Sequence, residues 1–433
     1  MLLFTEQISP RLQYIAEFIS QAYFGIPVRI TTDISEYISA DQLSVNYSNQ
    51  QLKDEEFWVQ PHSLLFEKGI GRQQVDCFDF AGQKAFFRTG GDFPFDIFAS
   101  TFYLLSRYEE YLPHTKDIYG RFAHKNALAF KEGFLQIPLV NIWMEEFKNA
   151  LRSSGLSWVD SPKTFRFIPT YDIDIAFAYQ GKGFMKTAGG LFRSFLKADF
   201  PSFSERLRVV GRGVRDPYDS FDWMDALHDQ FDLQPLYFFL VPEKKGKYDK
   251  NILPSNPRMR SLVRKIADKY AVGIHPSWKS GDDENLLKEE IDRLREMTGR
   301  DIDSCRFHYV RFNLPGSYRQ LIREGIRNDH SMGYGSINGF RASVADPFYW
   351  YDLEKEEQTG LLVFPFCFME ANSYYEQQYS VPETGAEILH YGKKVKSLNG
   401  MLITLWHNQF LGSSKEFSGL KEVYEGFIRS MLT

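Results

Sequence analysis

Residues 168–176 read IPTYDIDIA, two aspartates set inside an otherwise apolar run. A β-strand sends residues i and i+2 to the same face. Asp172 and Asp174 therefore point together, with Ile173 and Ile175 opposite. A buried carboxylate is costly unless it is paired or meets a metal. Two readings follow: a strand end at which one aspartate caps the next turn, or one wall of a charged site. The rest of the chain has to decide between them.

From this stretch onward, apolar strand-like runs alternate with helical patterns. The runs are FIPTYDIDIA (167–176), PLYFFLV (235–241), YAVGIHPS (270–277), CRFHYVRF (305–312), LLVFPFCF (361–368) and GMLITLWH (400–407). The helical patterns cover 222–232, 257–269, 283–297, 315–325, 383–398 and 415–432. In 283–297, Leu287, Ile291 and Leu294 share one face, with acids in the first turn. Such alternation predicts a parallel sheet, and at this length closure into a (β/α) barrel. Polar residues gather at the C-terminal ends of these runs: Asp172 and Asp174, then His275, then His308 and Arg311, then His407. In a barrel those ends meet at one mouth, where active sites lie. One such residue is background. Four strands ending this way make a constellation, and they favour the charged-site reading of the aspartates.

Upstream the pattern differs. RSSGLSWVDSPKTFR (152–166) is rich in Ser, Gly and Pro and reads as a connection. It divides the chain near residue 160 into a first domain, 1–160, and a second, 161–433. The first reads as a smaller α/β or α+β domain. Helical patterns cover 10–24 and 96–112, and strand patterns cover 75–80 and 84–89. His62, His114 and His124 stand isolated in it, and no catalytic constellation shows.

Bulk properties exclude several classes. Hydrophobic residues make up 43% and charged residues 25% of the 433, as in an ordinary globular protein. Cys77, Cys305 and Cys367 are too far apart for a CxxC pair, so neither a disulfide framework nor a cysteine zinc site is indicated. The net charge of −5, with no basic block, argues against a nucleic-acid partner. The N-terminal MLLFTEQISPRLQYIAEF lacks a charged segment followed by an apolar one, so no secretory signal is expected. LLVFPFCFM (361–369) falls short of a membrane span and contains a proline. A cytoplasmic location is the expectation.

In this order, the motifs resemble those of the polysaccharide deacetylase family, carbohydrate esterase family 4, over roughly residues 165–430. The resemblance leaves the first domain unexplained. It implies a distorted (β/α) barrel and a divalent metal, zinc first and cobalt or nickel as alternatives, used to remove N-acetyl groups from amino sugars. Thr170-Tyr171-Asp172-Ile173-Asp174 is similar to the family's first motif with one residue inserted between its aspartates. By that resemblance Asp172 is the general base and Asp174 a metal ligand, with exchange of the two roles left open. VGIHPSWKS supplies one metal-binding histidine, His275, but Lys279 stands where the second belongs. His308 is the expected substitute. RFNLPG (311–316) resembles the third motif, which places Arg311 beside the base to keep it ionised. The fourth is poorly matched, with Asp329 and His330 as its candidates. LITLWHNQ resembles the fifth and makes His407 the general acid.

The expected partner is a carbohydrate: an amino-sugar glycan or a nucleotide- or lipid-linked precursor. Trp278, Tyr309 and Trp406 lie beside the motifs and are candidates to stack on a sugar ring. The Lys279 departure keeps a competing expectation open, a degenerate barrel that binds carbohydrate without catalysis. A further alternative is hydrolysis of a C–N bond outside sugars. An unrelated α/β barrel with fortuitous polar strand ends is the last.

Overall fold

The structure is a computed structural model that describes residues 1–159, 163–181, 206–209, 211 and 213–432. The boundary expected near residue 160 lies outside the described residues. Before it, four short strands form a parallel sheet in the order β2-β1-β3-β4. They are β1 (Leu2–Thr5), β2 (Arg29–Thr31), β3 (Ser44–Tyr47) and β4 (Phe57–Trp58). A hairpin, β5 (Phe78–Phe80) with β6 (Gln83–Ala85), falls within or beside the two runs expected to be strands. The helix expected over 96–112 spans Ile97–Leu105, wholly buried, and starts where the Asp96 carboxylate accepts from the Phe98 and Ala99 amides.

The second half is built on a nine-stranded sheet. Its strands are β7 (Arg166–Ile173), β8 (Leu236–Phe239), β9 (Ala271–Ile274), β10 (Ser304–Cys305), β11 (Asn328–Asp329), β12 (Phe348–Asp352), β13 (Glu357–Val363), β14 (Phe368–Met369) and β15 (Met401–His407). The spatial order is β12-β13-β11-β10-β9-β8-β7-β15-β14, parallel throughout except for β12 against β13. The parallel sheet expected from the alternation is present. Among the described residues its hydrogen bonds do not close into a ring, and β12 and β14 are the two edges. Proline explains part of this: LLVFPFCF reads as one run, but β13 ends at Val363 and β14 begins only at Phe368, past Pro365.

Local chemistry fixes the helices over the sheet. Asp283 caps Glu284–Thr298 by accepting from Asn285 and Leu286. Gly299 ends that helix in the left-handed conformation at φ 66°, and Leu287, Ile291 and Leu294 are buried as expected. Ser380 and Glu383 form a reciprocal capping box at the start of Val381–Ser397. Along β7 the faces divide cleanly. The Tyr171 hydroxyl lies 2.7 Å from His228 Nε2 and from the Tyr424 hydroxyl on the helices Phe221–Phe231 and Leu420–Leu432. Asp172 points to the other side.

One buried apolar cluster runs from residues of the first region into the sheet, through Leu12, Phe102 and Trp143 to Trp350 and Phe366. Polar contacts cross the same boundary. The Arg341 guanidinium donates to both Glu110 oxygens at 2.8 and 2.6 Å. Asn141 Nδ2 donates to Asp346 at 2.6 Å. No helix among the described residues is long and apolar enough to cross a membrane.

Candidate metal centre and active site

The parallel register brings the strand ends together. His407, the last residue of β15, is the direct partner of Asp172 on β7. His275 follows the end of β9, and His308 lies three residues beyond β10. These ends border a pocket of about 390 Å³ whose lining includes Asp172, Asp174, His275, His308 and His407.

Asp174 sits at the centre. Its Oδ1 lies 3.1 Å from His275 Nε2, and its Oδ2 lies 3.3 Å from His308 Nε2 and 3.5 Å from His407 Nε2. Asp172 Oδ2 is 3.6 Å from His275 Nε2. One ligand atom from each of Asp174, His275 and His308 falls within 4.8 Å of the other two.

The donor set fits a divalent cation. His275 Nδ1 lies 2.6 Å from the Arg306 carbonyl oxygen. A carbonyl only accepts, so Nδ1 carries the proton and Nε2 of the neutral ring presents a lone pair. His308 Nδ1, 3.0 Å from Asp249 Oδ1, repeats the pattern. Two lone pairs and a carboxylate thus converge, acceptor against acceptor. The buried Asp174 Oδ1 has no hydrogen-bond partner. Only positive charge satisfies such a group, and two imidazoles with one carboxylate, each imidazole oriented from behind, suit zinc or a similar ion.

In the absence of an ion, protons on the imidazoles supply positive charge to the carboxylate instead. Burial alone raises a carboxyl, but the His308 and His275 rings hold Asp174 well below the usual carboxylate range. Burial pulls His308 down, and the Asp174 and Asp249 carboxylates outweigh it, raising the ring to about 9. His407 is raised to about 10, against burial, chiefly by Glu370. Glu370 is fully buried and accepts from both the His407 amide at 2.8 Å and Nδ1 at 2.6 Å.

Several expectations change. Arg311 does not reach Asp172. It donates to Asp282 Oδ2 at 2.6 Å and to the carbonyls of Trp278 and Tyr119. The arginine on Asp172 is Arg306, wholly buried, with Nη1 2.9 Å from Oδ1. The cause is local: β10 stops at Cys305, and Tyr309 and Val310 turn the chain at φ 59° and 55°. CRFHYVRF is therefore no straight strand, and Arg311 is carried away from the pocket. Lys279 is exposed and absent from the pocket lining. Trp406 is fully buried and also absent from that lining, whereas Tyr309 is part of it. Asp329 and His330 lie behind the site. The His330 carbonyl accepts from Arg306 Nε at 2.8 Å, and burial lifts Asp329 to about 6.

Arg306, Asp249 and Glu370 were not foreseen. Glu370 directly follows β14, so the rule that found His407 would have found it too. Arg306 stands two residues before His308. Asp249 lies in a loop with no periodic signal.

Residues 1–155 match the model of a family of unknown function, DUF7033. No curated protein matches the chain. Among the solved structures that resemble it are the following three. Puue allantoinase is 11% identical, covers 62% of this chain and 83% of its own, and has a TM-score of 0.38. A probable polysaccharide deacetylase from Pseudomonas aeruginosa PAO1 is 12% identical, covering 62% and 84%, with a TM-score of 0.37. The catalytic domain of peptidoglycan N-acetylglucosamine deacetylase from Eubacterium rectale ATCC 33656 is 13% identical, covering 64% and 89%, with a TM-score of 0.30. At these identities and TM-scores the likenesses carry no assignment.

Proposed function

We propose that this protein is a divalent-metal-dependent hydrolase that removes N-acetyl groups from an amino-sugar glycan or glycan precursor. The observation that carries this reading is the half-buried Asp174 carboxylate, its Oδ1 shut off from solvent, faced by two imidazoles whose Nδ1 atoms are both committed elsewhere. Asp174, His275 and His308 would hold the ion. When bound, it supplies Lewis acidity to the amide carbonyl and to water.

The chain's own residues do the rest. Asp172 takes the proton of the attacking water, and Arg306, tied to Oδ1, leaves Oδ2 turned towards His275. His407, held in one tautomer by Glu370, gives a proton from Nε2 to the departing amine. Tyr119, Tyr248, Tyr309 and Tyr375 give the pocket flat apolar faces of the kind that cover a sugar ring.

The test is acetate release from N-acetylglucosamine oligomers by chelated and zinc-reloaded protein. Release that depends on zinc supports the reading. Sugar binding by metal-free protein with no release at any metal load would replace it with a carbohydrate-binding role.

A further inference from the structure

The region before residue 160 has no role in that chemistry, yet one of its turns lines the pocket. Residues 116–122 form a tight reversal. Lys116 and Phe122 make a single antiparallel bridge, and the Asp117 amide donates to the Arg121 carbonyl at 2.9 Å. Asp117 Oδ1 accepts from the Tyr119 and Arg121 amides at 2.9 and 3.0 Å, and Oδ2 accepts from Arg121 Nε at 2.7 Å. The Arg121 side chain is thereby fixed, and it is only 4% exposed.

Its other arm reaches the metal centre's framework. Arg121 Nη1 donates to the Tyr309 carbonyl at 2.7 Å. Tyr309 immediately follows His308, and Tyr309 and Val310 both hold left-handed backbone, at φ 59° and 55°. Non-glycine residues adopt that conformation at a cost, above all a β-branched valine, and it persists only where the surroundings enforce it. The space around the contact is filled: a Cβ on Gly335 would lie 2.0 Å from Arg121 Nη1 and 2.9 Å from the Tyr309 oxygen.

The same turn touches the loop that follows His275. Arg311 Nε donates to the Tyr119 carbonyl at 3.2 Å, while its Nη1 donates to the Trp278 carbonyl at 3.1 Å. The Tyr119 ring packs on Tyr248, Trp278 and Tyr309 at centroid distances of 6.2, 5.9 and 5.3 Å. Tyr248 precedes Asp249, the carboxylate behind His308. One turn thus contacts the segments that carry both imidazoles and the acid that orients one of them.

We propose that residues 116–122 are a clamp, with Arg121 as a positioning residue that holds the strained turn after His308 so that its Nε2 faces Asp174. The clamp rests on the metal-site reading above. It gives the first region a task in the second: its turn sets the ligand geometry.

The experiment is a Co²⁺ titration of the full chain against a chromophoric chelator, with the d–d absorption spectrum recorded alongside. R121Q is expected to bind about 10- to 100-fold more weakly than wild type, with an altered spectrum. Should R121Q fail to fold, R121K serves, because it keeps a cation beside Asp117 and loses the second arm of the fork. In R121Q/Y309G/V310G the backbone cost at both positions disappears, since glycine takes φ > 0 freely, and affinity should recover above that of R121Q. Wild-type affinity and spectrum in R121Q, or a triple variant no tighter than R121Q, overturns the clamp and leaves the metal site standing. A wild-type protein that binds no Co²⁺ removes both.

Discussion

Two ionic clusters among the described residues are built on opposite principles. In the first, Glu110 receives Arg107 Nε at 2.8 Å and Arg341 Nε and Nη2 at 2.8 and 2.6 Å. Arg341 Nη1 donates to the Gly333 carbonyl at 3.0 Å, and Arg107 Nη2 to Glu109 at 2.8 Å. Donors meet acceptors throughout, and neither Glu110 nor either arginine exposes more than 5% of its surface. In the second, around Asp174, neutral imidazoles would turn lone pairs on a carboxylate, and one of its oxygens is left without a partner. The first cluster is complete as folded and ties the two regions together. The second calls for added positive charge, from a proton or, on the reading proposed above, from a metal ion, and this is the physical difference between a structural charge cluster and the proposed site.

The comparison can be broken by exchanging the expected effects. D174N should lower Co²⁺ affinity by more than about 100-fold while costing the metal-free protein less stability than E110Q does, measured by chelator competition and urea unfolding. E110Q should do the reverse, costing about 3–5 kcal/mol of stability because it leaves two buried arginines poorly paired, with no change in intrinsic metal affinity. If the two variants lose stability equally, the contrast fails.

D172N and H407N sharpen the second cluster from within. Each should cut the rate of acetate release by about 10²- to 10⁴-fold, with D172N keeping its full metal content by elemental analysis. An active D172N would hand the base to another group.

Acid should find the first cluster. Although burial raises it, the Arg341 and Arg107 charges hold Glu110 down at about 2, below its ordinary 4.5. A depressed folded-state value means stability that is present above pH 4.5 and lost as pH falls towards 2, worth roughly 3 kcal/mol. Urea midpoints across that window should fall for wild type and stay flatter for E110Q.

The smallest effect is expected at Lys279. K279H would put a second histidine four residues after His275, yet the side chain is exposed and outside the pocket lining. Co²⁺ affinity should stay within about twofold of wild type, as for an ordinary surface change.

Much of the scaffold was legible in the chain. Period-two and helical patterns located β7, β8, β9 and β15 and the helices between them, because burial on one face writes itself into residue spacing. The run 305–312 defeated the same logic. Tyr309 and Val310 are not turn formers, and nothing in their identity announces left-handed backbone. The result was the exchange of Arg306 for Arg311 beside Asp172.

By itself the sequence determined that Asp172 and Asp174 share a face and that His275 and His407 follow the ends of apolar strands, since both facts depend only on local period and chain order. The fold alone decided that Asp249, 59 residues from His308, sits behind its ring, that Glu370 holds His407, and that Arg121 reaches Tyr309 across 188 residues. Those contacts join points far apart in the chain, and no local preference encodes a partner that only packing brings near.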